Sequence, residues 1–103
     1  MISASRSVTE GQVAAFRHGN TISMIIVNCE SEPVAKTVEF NTLLQNLAQI
    51  MANQGAGNYS EEAVLEIDGV KDALVEAIGL LRENIRIKKA QVVQGILFCL
   101  VDF

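Results

Sequence analysis

From residue 60 onward, apolar residues keep helical phase for about forty residues, and that pattern constrains the chain more than any other feature. At about 100° per residue, positions 63, 67, 70, 74, 78, 81, 85, 88, 92, 96, 99 and 103 fall in one sector of the helix. They read Ala, Ile, Val, Leu, Ile, Leu, Ile, Lys, Val, Ile, Cys and Phe, so Lys88 alone interrupts the stripe. A strict two-residue strand repeat does not hold that phase, and the pattern predicts a helix over 60–103 with Ser60 as its N-cap. Charge order agrees. Glu61, Glu62, Glu66, Asp68, Asp72 and Glu76 come early, and Arg82, Arg86, Lys88 and Lys89 come late, which complements a helix dipole. The same order also suits a helix that stops near Lys89. Val92-Val93 and Gly95 leave open a break near 87–95 and a strand over 96–101.

A second stripe is shorter and cleaner. Phe40, Leu43, Leu44, Leu47, Ile50 and Met51 lie on one face of a helix predicted over 33–54. Ser31 can cap it, Glu32 sits near its positive end, Pro33 suits its first turn and Gly55 its stop. Residues 53–59, with Gly55 and Gly57, read as a loop. The first segment is less regular. Thr9 and Gln12 resemble a capping box, and Ile22, Ile25, Ile26 and Cys29 have helical spacing, whereas Thr21–Val27 is rich in strand formers. Strict alternation is absent, which favours a helix over 8–30 with a break at Gly19-Asn20. The expected fold is therefore all-α: one domain, 1–103, built as an antiparallel helical hairpin or bundle with a long C-terminal amphipathic helix. The alternative is α+β, with strands near 21–28 and 96–101.

Composition narrows the partners. Half of the 103 residues are apolar and the net charge is −4, which suits one folded domain and opposes both a disordered tail and a basic nucleic-acid or membrane surface. The first residues carry no signal-peptide pattern, and the longest apolar run, Ile96–Val101, is far too short for a membrane span. A cytoplasmic protein is the resulting expectation. Cys29, Cys99 and the single histidine, His18, form neither a disulfide framework nor a metal-ligand spacing, so no metal or cofactor is expected.

Candidate chemistry is sparse. Cys29 adjoins Glu30 and Glu32, carboxylates that raise a thiol's pKa rather than lower it. His18 lies eleven residues away, about 16 Å along a continuous helix. Gly55-Ala56-Gly57 lacks the later glycine and lysine of a phosphate loop, and Asp68-Gly69 with Asp72 lacks the alternating ligands of a calcium loop. With no nucleophile, base and orienter together, an enzyme is not expected, and a small thiol or carboxylate enzyme stays as the lesser alternative.

Lengths then point to assembly. A helix over 60–103 would measure about 66 Å, while the two before it reach about 33 Å each. Ile85, Val92, Ile96, Cys99 and Phe103 would have no cover within the chain. Asp68, Asp72 and Glu76 form an acidic row, and Arg82, Arg86 and Lys89 a basic one, so an antiparallel two-fold pairing sets one against the other. The same rows also fit a solvated helix face. The function expected on these grounds is protein–protein interaction: a self-associating, coiled-coil-like module serving as adaptor, chaperone-like binder or assembly subunit, with a homo-oligomer as its form. The alternative is a compact domain binding a small ligand, with His18 or Lys88 as the inner polar group.

Overall fold

The segment expected as the first helix is a β-hairpin. The computed structural model describes residues 7–95. In it β1 (Glu10–His18) pairs antiparallel with β2 (Thr21–Cys29), from Glu10 beside Cys29 to His18 beside Thr21. The break at Gly19-Asn20 is the two-residue turn. Gly19, at φ 62°, supplies the positive φ that the first position of such a turn demands. Alternation is present on β2 but hidden. Ser23, Ile25, Val27 and Cys29 are buried on one face, and Ile22, Met24 and Ile26, equally apolar, are half-buried on the other.

The middle segment is helical, in two pieces. α1 (Glu32–Ala35) has Pro33 in its first turn, and α2 (Val38–Ala52) restarts after Thr37, whose Oγ1 accepts the Phe40 N–H at 3.1 Å. Phe40, Leu43, Leu44, Leu47 and Met51 of the predicted stripe are buried, and Ile50 packs at the core's margin. α2 lies on β1 and β2. The buried Ser23 hydroxyl donates to the Ala48 carbonyl at 2.5 Å and ties this helix to the sheet.

The long helix does not exist. After β3 (Gly57–Tyr59) come α3 (Glu61–Leu65), α4 (Val70–Leu81) and β4 (Arg86–Gln94). Ser60 does cap α3, its Oγ accepting the Ala63 N–H at 3.3 Å. α4 ends where Arg82 takes a left-handed φ of 63°. β4 runs antiparallel between β2 and β3, giving one four-stranded sheet in the order β1-β2-β4-β3. The architecture is therefore α+β, neither a helical bundle nor a coiled coil, and the all-α expectation is overturned. The α+β alternative fits: its strand near 21–28 is β2. β2 pairs with β1 on one side and β4 on the other, however; residues 96–103, among them the expected strand over 96–101 and Ile96, Cys99 and Phe103, lie outside the described residues.

A β-bulge explains how a strand kept helical phase. On β2, Ile26 faces Lys89 and its neighbour Val27 faces Ile87, so Lys88 is an extra residue in β4. Ile85, Ile87, Ala90 and Val92 consequently all face the helices and are buried. Ile85 and Val92 are seven residues apart. That is two turns of a helix, and it is also one face of a strand carrying a single bulge. The core is one cluster between this sheet face and α2 and α4, and it includes the fully buried Val64 of α3. No described helix is long and apolar enough to cross a membrane, and among the described residues no His, Cys, Asp or Glu cluster could hold a metal ion.

Candidate protein-docking surface

The loop between β2 and α2 is short, exposed at its tip and heavily braced. Glu32 and Pro33 are exposed, and Lys36 reaches back to the Glu32 carboxylate at 2.7 Å. Behind that tip, the Ala35 carbonyl accepts Gln12 Nε2 of β1 at 3.2 Å and Asn41 Nδ2 of α2 at 3.1 Å. Thr37 donates its hydroxyl to the Val34 carbonyl at 2.7 Å while capping α2. At the loop's start, Glu83 accepts the N–H groups of Glu30 and Ser31 and the Ser31 hydroxyl, and Glu30 accepts the Asn84 N–H. Three elements thus hold one short turn of backbone at the end of the sheet.

Apolar exposure adjoins this loop. Val38, first residue of α2, is 78% exposed and Leu80 of α4 is 64% exposed. An open hollow of about 290 Å³ lies between α2 and α4, lined by Val38, Thr42, Leu43, Ala73, Ala77 and Leu80 together with Glu39, Asn46 and Glu76. Val38 and Thr42 also line a second hollow, about 370 Å³, with Lys36, Thr37, Asn41 and Gln45. Val38 is therefore an apolar knob between two depressions, beside a braced turn. A larger hollow of about 660 Å³, at the far end of α2, is lined by Asn53, Gln54, Glu66 and Asp68 besides Ile50, Ala63 and Ile67. It is more polar and borders no strongly exposed large apolar side chain among the described residues.

The residues proposed from sequence scatter over this fold. Ile85 and Val92 are core residues, each 2% exposed. Asp68 stands in the α3–α4 turn, and Asp72 and Glu76 remain one turn apart on the exposed side of α4. Of these, Glu76 lines the Val38–Leu80 hollow. Arg82 caps α4, whereas Arg86 and Lys89 sit on β4, so no single helix aligns an acidic row with a basic one. Arg86 is engaged within the chain. Its Nε and Nη2 donate to Glu61 at 2.8 and 2.5 Å, and the Ile87 N–H adds a third bond at 3.2 Å. The Arg86 guanidinium holds the Glu61 carboxyl below its ordinary range against the opposing effect of burial. His18 and Lys88, the inner polar groups of the small-ligand reading, are exposed at the end of β1 and at the bulge. The compact α+β fold still suits that reading better than a self-associating helix. Cys29 is fully buried, and burial first, then the nearby Glu83 carboxylate, push its thiol pKa up.

Sequence reasoning passed over Val38, Leu80 and Glu83. Val38 and Leu80 were legible as apolar residues off their helices' stripes, but only once α2 and α4 are read as separate short helices. Glu83 was visible as the one acid inside the basic run 82–89. What it binds lies more than fifty residues away and left no local signal.

No family model matches the chain. Its relatives include elongation factor Ts of Burkholderia mallei (strain NCTC 10229), of Burkholderia thailandensis and of Burkholderia pseudomallei (strain K96243). Each is 33% identical over 88 residues, which is 84% of this chain. The chain spans about 30% of the length of these curated relatives. The four-stranded sheet corrects the expected classes of helical bundle and coiled coil, and the likeness to elongation factor Ts gives no support to an adaptor, chaperone or oligomer class. The expectation about catalysis is corrected with them. It rested on the lack of a nucleophile, base and orienter, whereas the relatives carry the name of an elongation factor. Over most of its own length, and under a third of theirs, the chain is similar to elongation factor Ts.

Proposed function

We propose that the chain is a protein-docking module that engages a translation elongation factor, elongation factor Tu, through the surface formed by the α1 tip, Val38 and Leu80. The observation that carries this reading is the 33% identity to elongation factor Ts along 84% of the chain. The surface supports it physically. Single exposed apolar residues are ordinary, but Val38 and Leu80 border one hollow. The adjoining loop has the form of a binding loop on a rigid scaffold, because its backbone is braced from β1, α2 and the α4–β4 link. Covering Val38 contributes about 1.5 kcal/mol, roughly tenfold in affinity. Glu39 and Glu76 in the same hollow favour a partner segment that carries Lys or Arg beside an apolar anchor. A partner of this kind puts the chain in the cytoplasm.

Titration of the full chain against purified elongation factor Tu tests the reading. The wild-type chain binds, and Val38→Glu and Leu80→Glu each weaken binding by roughly tenfold or more while far-UV circular dichroism stays unchanged. Absence of wild-type binding at about 100 μM, or equal affinity of both variants and wild type, overturns it.

A further inference from the structure

The α1 loop has little reason of its own to keep one shape. α1 has four residues, far fewer than a helix needs to hold itself in water, and its N-cap Ser31 makes no side-chain bond to the helix. The Ser31 hydroxyl is spent elsewhere, donating to Glu83 Oε2 at 2.5 Å. Glu83 Oε1 accepts the N–H of Ser31 at 3.0 Å and of Glu30 at 3.1 Å. The exchange is reciprocal, for the Asn84 N–H donates to Glu30 Oε2 at 2.6 Å. Three bonds converge on one carboxylate, and bonds to a charged acceptor are about twice as strong as neutral ones.

We infer that Glu83 is a positioning residue for docking: it holds the start of the α1 loop in the shape presented to the partner. The inference rests on the reading above that this loop meets a partner. A role in overall folding is a different claim, and the geometry separates the two. Cys29 on one side of the strap is fully buried and Ile85 on the other is 2% exposed, so the core anchors both segments independently. Loss of the Glu83 carboxylate removes the acceptor of the Glu30 and Ser31 N–H groups and of the Ser31 hydroxyl, and leaves the packing of α2 on the sheet in place. The loop then samples several shapes, and the apparent dissociation constant rises by the inverse of the competent fraction. Such a loss appears in the association rate, whereas loss of a contact such as Val38 appears in dissociation.

The experiment pairs amide hydrogen exchange on the free chain with binding kinetics against purified elongation factor Tu. Glu83→Ala speeds exchange at Glu30 and Ser31 about tenfold, leaves α2 core amides unchanged, and lowers the association rate about tenfold at near-constant dissociation. Glu83→Gln keeps an oxygen for both N–H groups and restores most of the protection and of the rate. Ser31→Ala, which removes only the hydroxyl bond, gives a smaller change of the same kind and serves if Glu83→Ala does not fold. Val38→Ala raises dissociation and leaves Ser31 exchange alone. Equal exchange at Ser31 in wild type and Glu83→Ala, or an affinity loss confined to dissociation, overturns the inference. Failure of the wild-type chain to bind refutes the docking reading instead, and the exchange arm still decides whether Glu83 orders the loop.

Discussion

Deleting one residue from a strand ordinarily sends every side chain beyond it to the other face of the sheet. At Lys88 the fold predicts the opposite. On β2 the residues opposite the bulge, Ile26 and Val27, are already adjacent, and they face Lys89 and Ile87. Removing Lys88 makes those two adjacent as well, in the same register. Ile85, Ile87, Ala90 and Val92 keep their inward places, and the only side chain lost is exposed. The change amounts to closing a bulge, and stability should stay within about 1 kcal/mol of wild type, a few degrees in melting temperature for a domain of this size.

Deleting Met24 is the matched control. It too removes one strand residue, but β2 has no bulge there to absorb it. Val27 and Cys29, both fully buried, move to the outer face, and the Asn28 amide moves into the core position of Val27. Exposing one such side chain costs about 1.5–3 kcal/mol, and a buried amide without partners about 1–3 kcal/mol more. Together these reach much of the roughly 5–15 kcal/mol that a domain has to lose. Urea unfolding followed by far-UV circular dichroism reads both variants. If the Lys88 deletion proves as damaging as the Met24 deletion, the bulge and the inward register of β4 are wrong.

Two further outcomes follow from the electrostatics. Glu61 has its pKa depressed by Arg86, so its contribution to stability is fully present above the ordinary carboxylate range and is lost as pH falls through the depressed value. Glu61→Gln should therefore be less stable than wild type at pH 7 by about 1 kcal/mol, with the gap closing on acid titration; a gap independent of pH refutes the assignment. Cys29, buried with a raised pKa, should resist alkylation in the native chain at neutral pH and label on unfolding, as read by peptide-resolved mass spectrometry. Rapid native labelling at Cys29 contradicts its placement in the core.

Legibility differed between elements for identifiable physical reasons. The α2 stripe was plain because this helix buries one face and exposes the other, which is what a 3.6-residue period records. The β2 strand was obscured because it is apolar on both faces, so Thr21–Val27 lacks the polar alternation that marks a one-sided strand. β4 misled more deeply. Its bulge converts a two-residue period into the inward series 85, 87, 90 and 92, and the helical sector happens to share Ile85 and Val92 with it. The proposed docking surface was the least legible part. Val38 and Leu80 come together only when α4 lies beside α2, and the Glu83 strap joins junctions whose residues have no common local pattern.

The charge asymmetry of the chain acquires a different meaning in the folded protein. In the sequence, acids before residue 80 and bases after it suggested two helices lying antiparallel. In the structure, part of that complementarity is satisfied within one chain, because Arg86 at the head of β4 grips Glu61 at the head of α3. The pairing joins the start of β4 to the start of α3 within the chain. Glu39 of α2 and Glu76 of α4 are exposed and share the hollow that holds Val38 and Leu80. Exposed charges contribute little to affinity, but they orient an approaching partner and exclude one that presents acids of its own. On the proposed docking role, an apolar knob with carboxylates on both flanking helices favours a partner segment with a basic residue within reach of each, and that selectivity would come from two helices that the sheet holds side by side.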